Sequence, residues 1–347
     1  MNKRILIYAY ARMNLGDDLF IKILCGRYPE TNFFVMCSKD SSAALNGISN
    51  LYVIPGGDDI VQKSISASCD AIVNIGGSIF MENDKWEDKF NQYIKRMMGN
   101  KPYYIIGSNF GPYKSVSYFK SYKSVFKSAE DICFREMYSY KLFFDLPNAR
   151  YAPDVAFSYK TVKFIDQKKQ IIVSVIDLSN RSKLKEYEKI YTDKIIEISR
   201  YFVQKGYAVS LMGFCEYEGD KKAIGQLLSR LNHEERKSIL PYYYAGDIED
   251  ALKLIQESQY IIATRFHAMI LGWVFHKPVY PLVYSDKSLH VMEDIGYKGK
   301  YTTISGIYEL NADETYEYLI KSGPVNIEQQ VYTADLQFEM LDKLLLK

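Results

Sequence analysis

Short unbroken apolar runs alternate with amphipathic stretches through the first half of the chain. Ile5–Tyr10, Phe33–Cys37, Leu51–Ile54, Ala71–Ile75, Tyr103–Gly107 and Asp131–Phe134 read as strands. None shows the in–out alternation of a half-exposed sheet, so each is expected to be covered on both faces. Between them, Asp18–Tyr28, Trp86–Met98 and Val116–Ser128 carry helical spacing. Strand–helix alternation predicts a parallel, doubly wound sheet. The pattern pauses over residues 147–170, where Pro147, Pro153 and the polar run DQKKQ suggest a linker. It resumes with a strand at Ile171–Ile176, a helix near Glu186–Gln204, a strand at Ala208–Gly213 and a helix near Asp220–Leu231. A helix at about Ile248–Ser258, a strand at Tyr260–Thr264, a helix from about Phe266 and a further strand, loop and helix over 280–297 follow. The last segment, Ile327–Leu346, also reads as helical.

The chain is therefore expected to be α/β, with two Rossmann-like domains whose parallel sheets face a central cleft. Residues 1–155 would form the N-terminal domain and 156–325 the C-terminal one, with 326–347 a helix packing back on the first. In open α/β sheets ligands bind beyond the carboxyl ends of the strands. A length of 347 residues suits two domains, each able to bury its own core.

Composition narrows the class further. A formal net charge of +2 lacks the basic excess of a dedicated nucleic-acid binder. Cys25, Cys37, Cys69, Cys133 and Cys215 form no CxxC pair and no metal-like spacing, the usage of reduced, buried thiols in a cytoplasmic protein. The N-terminus resembles a signal peptide for ten residues only, because Asn14 to Asp18 interrupt the apolar run. The most apolar stretch, 260–284, is broken by Arg265, His267, His276 and Lys277 and falls short of the ~20 residues of a membrane span. The 31 tyrosines offer faces for sugar stacking, with a plain compositional bias as the simpler account.

Candidate chemistry collects at strand ends. After the first strand comes ARMNLGDD, where Asn14, Gly16 and Asp17 meet the start of a helix. Asp17 or Asp18 could cap that helix, or Asp17 could present a general base at the cleft. NIGGSIF follows the fourth strand, and its Gly76 and Gly77 allow backbone N–H groups to face a ligand. The fifth strand runs into GSNFGP, which contains Asn109. Arg135, at the end of DICF, could grip a carboxylate or phosphate, or form a salt bridge to Glu136 or Asp154. The most informative stretch is YIIATRFHAMILGW, in which a buried strand hands over to a helix opening with Arg265 and His267. A helix N-terminus favours anions. It disfavours the imidazolium, whereas a bound multianion favours it, so substrate could arm His267 as an acid. Lys287, in the loop after the next strand, would add positive charge, and Glu293 lies in the helix beyond. His233, His276 and His290 lack such surroundings and read as surface or packing residues.

Taken together, these loops resemble the polysaccharide pyruvyl transferase family. The resemblance rests on Asn14, Gly16 and Asp17, the IGGS loop, GSNFGP, Phe134-Arg135-Glu136, Ala152-Pro153-Asp154 and, most specifically, Thr264-Arg265-Phe266-His267-Ala268 with Lys287 downstream. It implies a fold similar to GT-B glycosyltransferases. It also implies transfer of pyruvate from phosphoenolpyruvate onto two hydroxyls of a sugar, in surface or capsular polysaccharide biosynthesis. By position, Arg135, Arg265 and His267 match the family's donor-binding and catalytic residues, and Lys287 matches a basic position of bacterial members. Asn14, Gly16 and Asp17, with Gly76, Gly77 and Asn109, fall on the acceptor side. The Arg12-Met13-Asn14 stretch departs from the glycine-rich form of that loop, a difference that bears on the acceptor.

The residue types suit that chemistry. Arg135, Arg265 and Lys287 would hold the donor's carboxylate and phosphate, His267 would protonate its methylene, and Asp17 would take the hydroxyl proton. No cofactor and no metal are expected, only phosphoenolpyruvate and a sugar or lipid-linked oligosaccharide acceptor. Such an acceptor would bring the enzyme to the inner membrane face as a peripheral visitor. Two rivals remain: a nucleotide-sugar-dependent glycosyltransferase with Glu293 on a ribose, and a non-catalytic member of an assembly complex.

Overall fold

The computed structural model describes residues 2–56, 59–97, 101–160, 166–181 and 183–346. Two compact units emerge. The first comprises Met1–Ala11, Asp17–Ser158 and Gln329–Lys347; the second comprises Arg12–Gly16 and Tyr159–Glu328.

The first unit holds strands β1 (Arg4–Tyr8), β2 (Asn32–Cys37), β3 (Leu51–Pro55), β4 (Ala71–Ile75), β5 (Tyr103–Ser108), β6 (Asp131–Phe134) and β7 (Ala149–Tyr151). All pair in parallel, in the order β3-β2-β1-β4-β5-β6-β7. Helices α1 (Leu15–Arg27), α2 (Asp59–Ser68), α3 (Trp86–Met97), α4 (Val116–Ser128) and α5 (Met137–Leu142) connect them. Every residue of β4 and of β6 is buried, which is why their sequences carry no alternation. The second unit repeats the plan with β8 (Gln170–Ser174), β9 (Ala208–Gly213), β10 (Ile239–Tyr243), β11 (Tyr260–Ala263), β12 (Val279–Val283) and β13 (Thr302–Thr303). Its order is β10-β9-β8-β11-β12-β13, again parallel. Its helices are α6 (Glu188–Gln204), α7 (Asp220–Ser229), α8 (Ile248–Glu257), α9 (Phe266–Val274), α10 (Asp286–Asp294) and α11 (Ala312–Lys321). The chain finishes with α12 (Glu328–Ala334) and α13 (Glu339–Leu345).

Each sheet reverses its winding direction beside its first strand, between β1 and β4 in one unit and between β8 and β11 in the other. Such switch points are where α/β sheets receive ligands. The loops after β1 and β4 carry Asn14 and Gly76–Gly77, Gly16 and Asp17 open the helix that follows β1, and the loop after β11 carries Arg265.

Much of the aromatic content is core. Phe80, Phe110, Tyr118, Tyr122, Phe126, Phe134 and Phe143 are all buried in one cluster of the first unit. Several of their rings meet edge to face, as in Phe110–Phe143 at 4.8 Å and Phe80–Phe126 at 4.9 Å, while Phe134 and Phe143 stack. All five cysteines are buried and free.

Gln337, in the single turn between α12 and α13, is fully buried. Its amide accepts from Gly107 N at 2.9 Å and donates to the carbonyls of Ala152 at 2.7 Å and Pro153 at 3.1 Å. One side chain thereby satisfies main-chain groups at the ends of β5 and β7.

Several expectations need correction. The stretch 147–170 is not a plain linker: it contains β7, a buried turn at Val155–Ser158 and the start of β8, and its residues 161–165 lie outside the described set. Ile327–Leu346 is broken into α12, a 3-10 turn and α13. The first helix starts at Leu15, so Asp17 and Asp18 sit in its first turn and neither caps it. Asn14 takes that place, its Oδ1 accepting from Gly16 N at 3.2 Å. Lys287 lies in the first turn of α10 rather than in the loop before it.

Candidate active site

In the first unit, β6 ends by delivering Arg135 into a buried polar pocket. Arg135 is 2% exposed and its own N–H donates to Ser108 O at 3.0 Å, which ties it to the end of β5. Its Nη1 donates to Asp154 Oδ2 at 3.0 Å, and its Nη2 to Asn109 Oδ1 at 2.6 Å and Ser78 Oγ at 3.3 Å. Asp154 is fixed in turn by Ala156 N at 2.9 Å. The guanidinium lies flat on the second glycine of the IGGS loop: a Cβ on Gly77 would fall 2.2 Å from Nη1. Gly76 has φ +151°, and a Cβ there would lie 3.6 Å from Asp17 Oδ1. The unit therefore gathers Asp17, Gly76, Gly77, Asn109 and Arg135 near its strand ends. Arg135 adopts the salt bridge to Asp154 that the sequence left open.

In the second unit, the end of β11 is bound more tightly. Ser174, the last residue of β8, accepts from the backbone N–H groups of both Thr264 and Arg265, at 2.9 and 3.0 Å. Tyr191 and Thr264 share a hydroxyl hydrogen bond at 3.0 Å. These contacts hold the turn in which Arg265 is the N-cap of α9, and they aim its side chain toward the loop after β9. There Asp220 receives Nε at 3.0 Å and also Nη2, forming a two-pronged carboxylate pair. Asp220 is 1% exposed and also accepts from Phe214 N and Cys215 N, at 2.8 and 3.0 Å. Burial raises its pKa above the usual aspartate value, against the pull of Arg265 and the two N–H groups. Arg265 Nη1 donates to Glu218. The guanidinium's own pKa is depressed by burial but lifted further by Asp220 and Glu218, so it stays charged.

His267 stands one residue into α9, partly exposed. Gly16 is the reason it fits: a Cβ on Gly16 would come within 1.8 Å of Nδ1. Asn14 and Gly16 belong to the second unit through the backbone bond Leu15 N to Phe214 O at 3.1 Å and the bond from Asn14 Nδ2 to Glu218 Oε1 at 3.3 Å. Lys287 Nζ lies 5.4 Å from the ring centroids of both Phe266 and Tyr284. Asn14, Gly16, Arg265, His267 and Lys287 thus share the strand-end face of this unit. Glu293 sits in the last turn of α10.

Arg181, Glu218, Asp220 and Tyr284 were missed by sequence reasoning. Arg181 Nη2 reaches Glu218 Oε2 at 3.3 Å, and its guanidinium carbon is 4.8 Å from the Tyr284 ring centroid. A signal existed: DLSNR and CEYEGD follow β8 and β9 as polar loops on the same sheet edge as TRFH. Among the described residues no group of three or more His, Cys, Asp or Glu side chains is placed to hold a metal ion. Among them, too, no helix is long and apolar enough to cross a membrane.

A family model described as polysaccharide pyruvyl transferase matches residues 14–286. The amylovoran biosynthesis protein AmsJ of Erwinia amylovora is 24% identical over 254 residues, which is 65% of this chain and 60% of that protein. The match therefore spans less than two thirds of the relative. Among solved structures, the UDP-GlcNAc 2-epimerase of Neisseria meningitidis, bound to UDP-GlcNAc, aligns over 100% of both chains with a TM-score of 0.66 and 10% identity. Anabaena HepE, in complex with UDP and glucose, aligns over 99% of both chains with a TM-score of 0.61 and 10% identity. Likenesses at this identity show the fold: two parallel α/β sheets of the GT-B type. With its family model covering 14–286, every strand-end loop from Asn14 to Lys287's neighbour Asp286 included, the chain belongs to the polysaccharide pyruvyl transferase family.

Proposed function

We propose that this protein transfers pyruvate from phosphoenolpyruvate onto two hydroxyls of a sugar, with release of phosphate, during polysaccharide assembly. The observation that carries this reading is Arg265, kept charged while buried by Asp220 and Glu218, on the same helix start as His267. A buried, pre-oriented guanidinium beside a partly exposed imidazole is what a small carboxylate–phosphate donor requires. Two of the five guanidinium N–H groups have no partner among the described residues, and these would face the donor.

In this reading Arg265 and Lys287 bind the donor, and His267 gives a proton to its methylene carbon. The enol carbon becomes electrophilic, and a sugar hydroxyl adds there as a carboxylate base accepts its proton. Phosphate then leaves with the C–O electron pair, and the second hydroxyl closes the ketal as its proton passes to the released phosphate. Arg135 contributes by fixing the Gly77 and Asn109 loops, the acceptor side in this scheme. A lipid-linked oligosaccharide acceptor would bring the protein to a membrane surface without any spanning helix.

The test offers phosphoenolpyruvate with a panel of galactosides and N-acetylhexosaminides, and mass spectrometry looks for the pyruvate adduct. His267→Ala should lower turnover by about 10²–10⁴-fold, the usual worth of a general acid, with an unchanged melting temperature. Turnover near wild type in that variant would remove His267 from the mechanism. Stabilisation by nucleotide sugars, with none by phosphoenolpyruvate, would move the assignment to a glycosyltransferase.

A further inference from the structure

The second unit holds three cations, Arg181, Arg265 and Lys287, around one partly exposed carboxylate, Glu218. Of the two carboxylates on Arg265, Asp220 is the fixed one: it is buried, takes two guanidinium N–H groups and is itself held by two backbone N–H groups. Glu218 differs in each respect. Its side chain is 28% exposed. It rides on a single 3-10 turn, Glu216–Glu218, closed by Gly219 at φ +92°. Its contacts are side chains only: Arg265 and Arg181 on Oε2, and Asn14 on Oε1. Lys287 adds its field, and although burial pushes the Glu218 carboxyl upward, the three cations hold it below the ordinary glutamate value. The neighbouring Tyr284 phenol, which burial alone would raise, is brought below its ordinary value by Lys287, Arg265 and Arg181.

Resting on the donor reading above, we propose that Arg181, Arg265 and Lys287 form a seat for the dianionic end of the substrate, and that Glu218 occupies it until the ligand displaces its carboxylate. A monoanion tethered on a short turn keeps three like charges together, and a phosphate-bearing dianion offers more charge and more acceptor oxygens to the same donors. Arg181, which neither the sequence nor the family match singled out, becomes a binding residue. Asp220 stays in place throughout, so Arg265 keeps its orientation when Glu218 leaves.

Calorimetry on the full chain tests this with two probes, inorganic phosphate and phosphoenolpyruvate. Glu218→Gln removes the competing charge and should tighten binding of both anions by roughly 3- to 10-fold, the range expected for one like charge at a partly exposed site. Arg181→Gln should weaken binding of both by about 10-fold, as loss of a charge-assisted hydrogen bond implies. Glu218→Ala supplies a second variant if the first misfolds, with the same direction expected. Crystals soaked in phosphate should show the Glu218 side chain turned away from Arg181. Equal or weaker anion binding in folded Glu218 variants would overturn the proposal and leave Glu218 a scaffold. Wild-type binding of phosphate without phosphoenolpyruvate would instead defeat the donor reading while the seat stands.

Discussion

Arg135 and Arg265 follow buried parallel strands in two sheets of the same winding, and both are almost wholly inaccessible. Their surroundings differ. Arg135 meets Asp154 through one nitrogen and two neutral acceptors through the other, and rests on the flat back of a glycine. Arg265 is clasped by two carboxylates and faces further cations beyond them. The first arrangement knits loops together; the second holds charge in reserve. The lesson is that an arginine at a strand's end marks a polar junction in either case. Only the partners distinguish a cross-link from a ligand site.

That contrast can be broken by substitution. Asp220→Ala should have the largest effect, about 3–5 kcal/mol of stability, since it strands a buried guanidinium and two backbone N–H groups. Asp154→Ala should cost less, about 2–4 kcal/mol, because Asn109 and Ser78 remain on Arg135. Urea unfolding followed by hydrogen exchange in each unit would measure both, and the opposite ranking would undo the distinction. Gly16→Ala should come next: the methyl displaces the His267 ring, lowering turnover by ~10²-fold with little change in melting temperature. Gly77→Ala should act the other way, costing about 1–3 kcal/mol through overpacking against the Arg135 guanidinium. Paired melting curves and turnover assays separate the two glycines.

The smallest effect is acid sensitivity. Glu218 has a folded pKa below the ordinary 4.5, so its stabilising contribution is present above pH 4.5 and is lost as pH falls below that value. Wild type should therefore lose more melting temperature than Glu218→Gln on going from neutral pH to below about 4. An equal loss in both proteins would show that the Arg181 and Arg265 contacts contribute nothing to stability.

How much of this was legible in the sequence follows from the kind of signal each residue leaves. Ala71–Ile75, Asp131–Phe134 and Tyr260–Ala263 are apolar without alternation because both faces are covered, so the parallel sheets could be read directly. Ala149–Tyr151 could not: it is a three-residue edge strand whose residues are all partly exposed, and Pro147 and Pro153 flank it. The two-residue strand Thr302–Thr303 is likewise too short to leave a pattern. Arg265 and His267 stood out because a strand and a helix meet at them. Glu218 and Asp220 did not, since acidic residues in a polar loop usually face water. Their role depends on a partner 45 or more residues away in the chain, which no local spacing records. The place of Asn14 and Gly16 in the second unit was hidden for the same reason, resting on bonds to Phe214 and Glu218.

Gln337 carries a consequence for how the chain matures. During synthesis the first sheet is complete in sequence by Tyr151, yet Gly107 N and the carbonyls of Ala152 and Pro153 find their partner only when residue 337 has been made. The early half must wait, through the whole production of the other unit, with buried amide groups unsatisfied. A nascent chain stalled near residue 160 should consequently be far easier to digest with protease than the same residues in the finished protein.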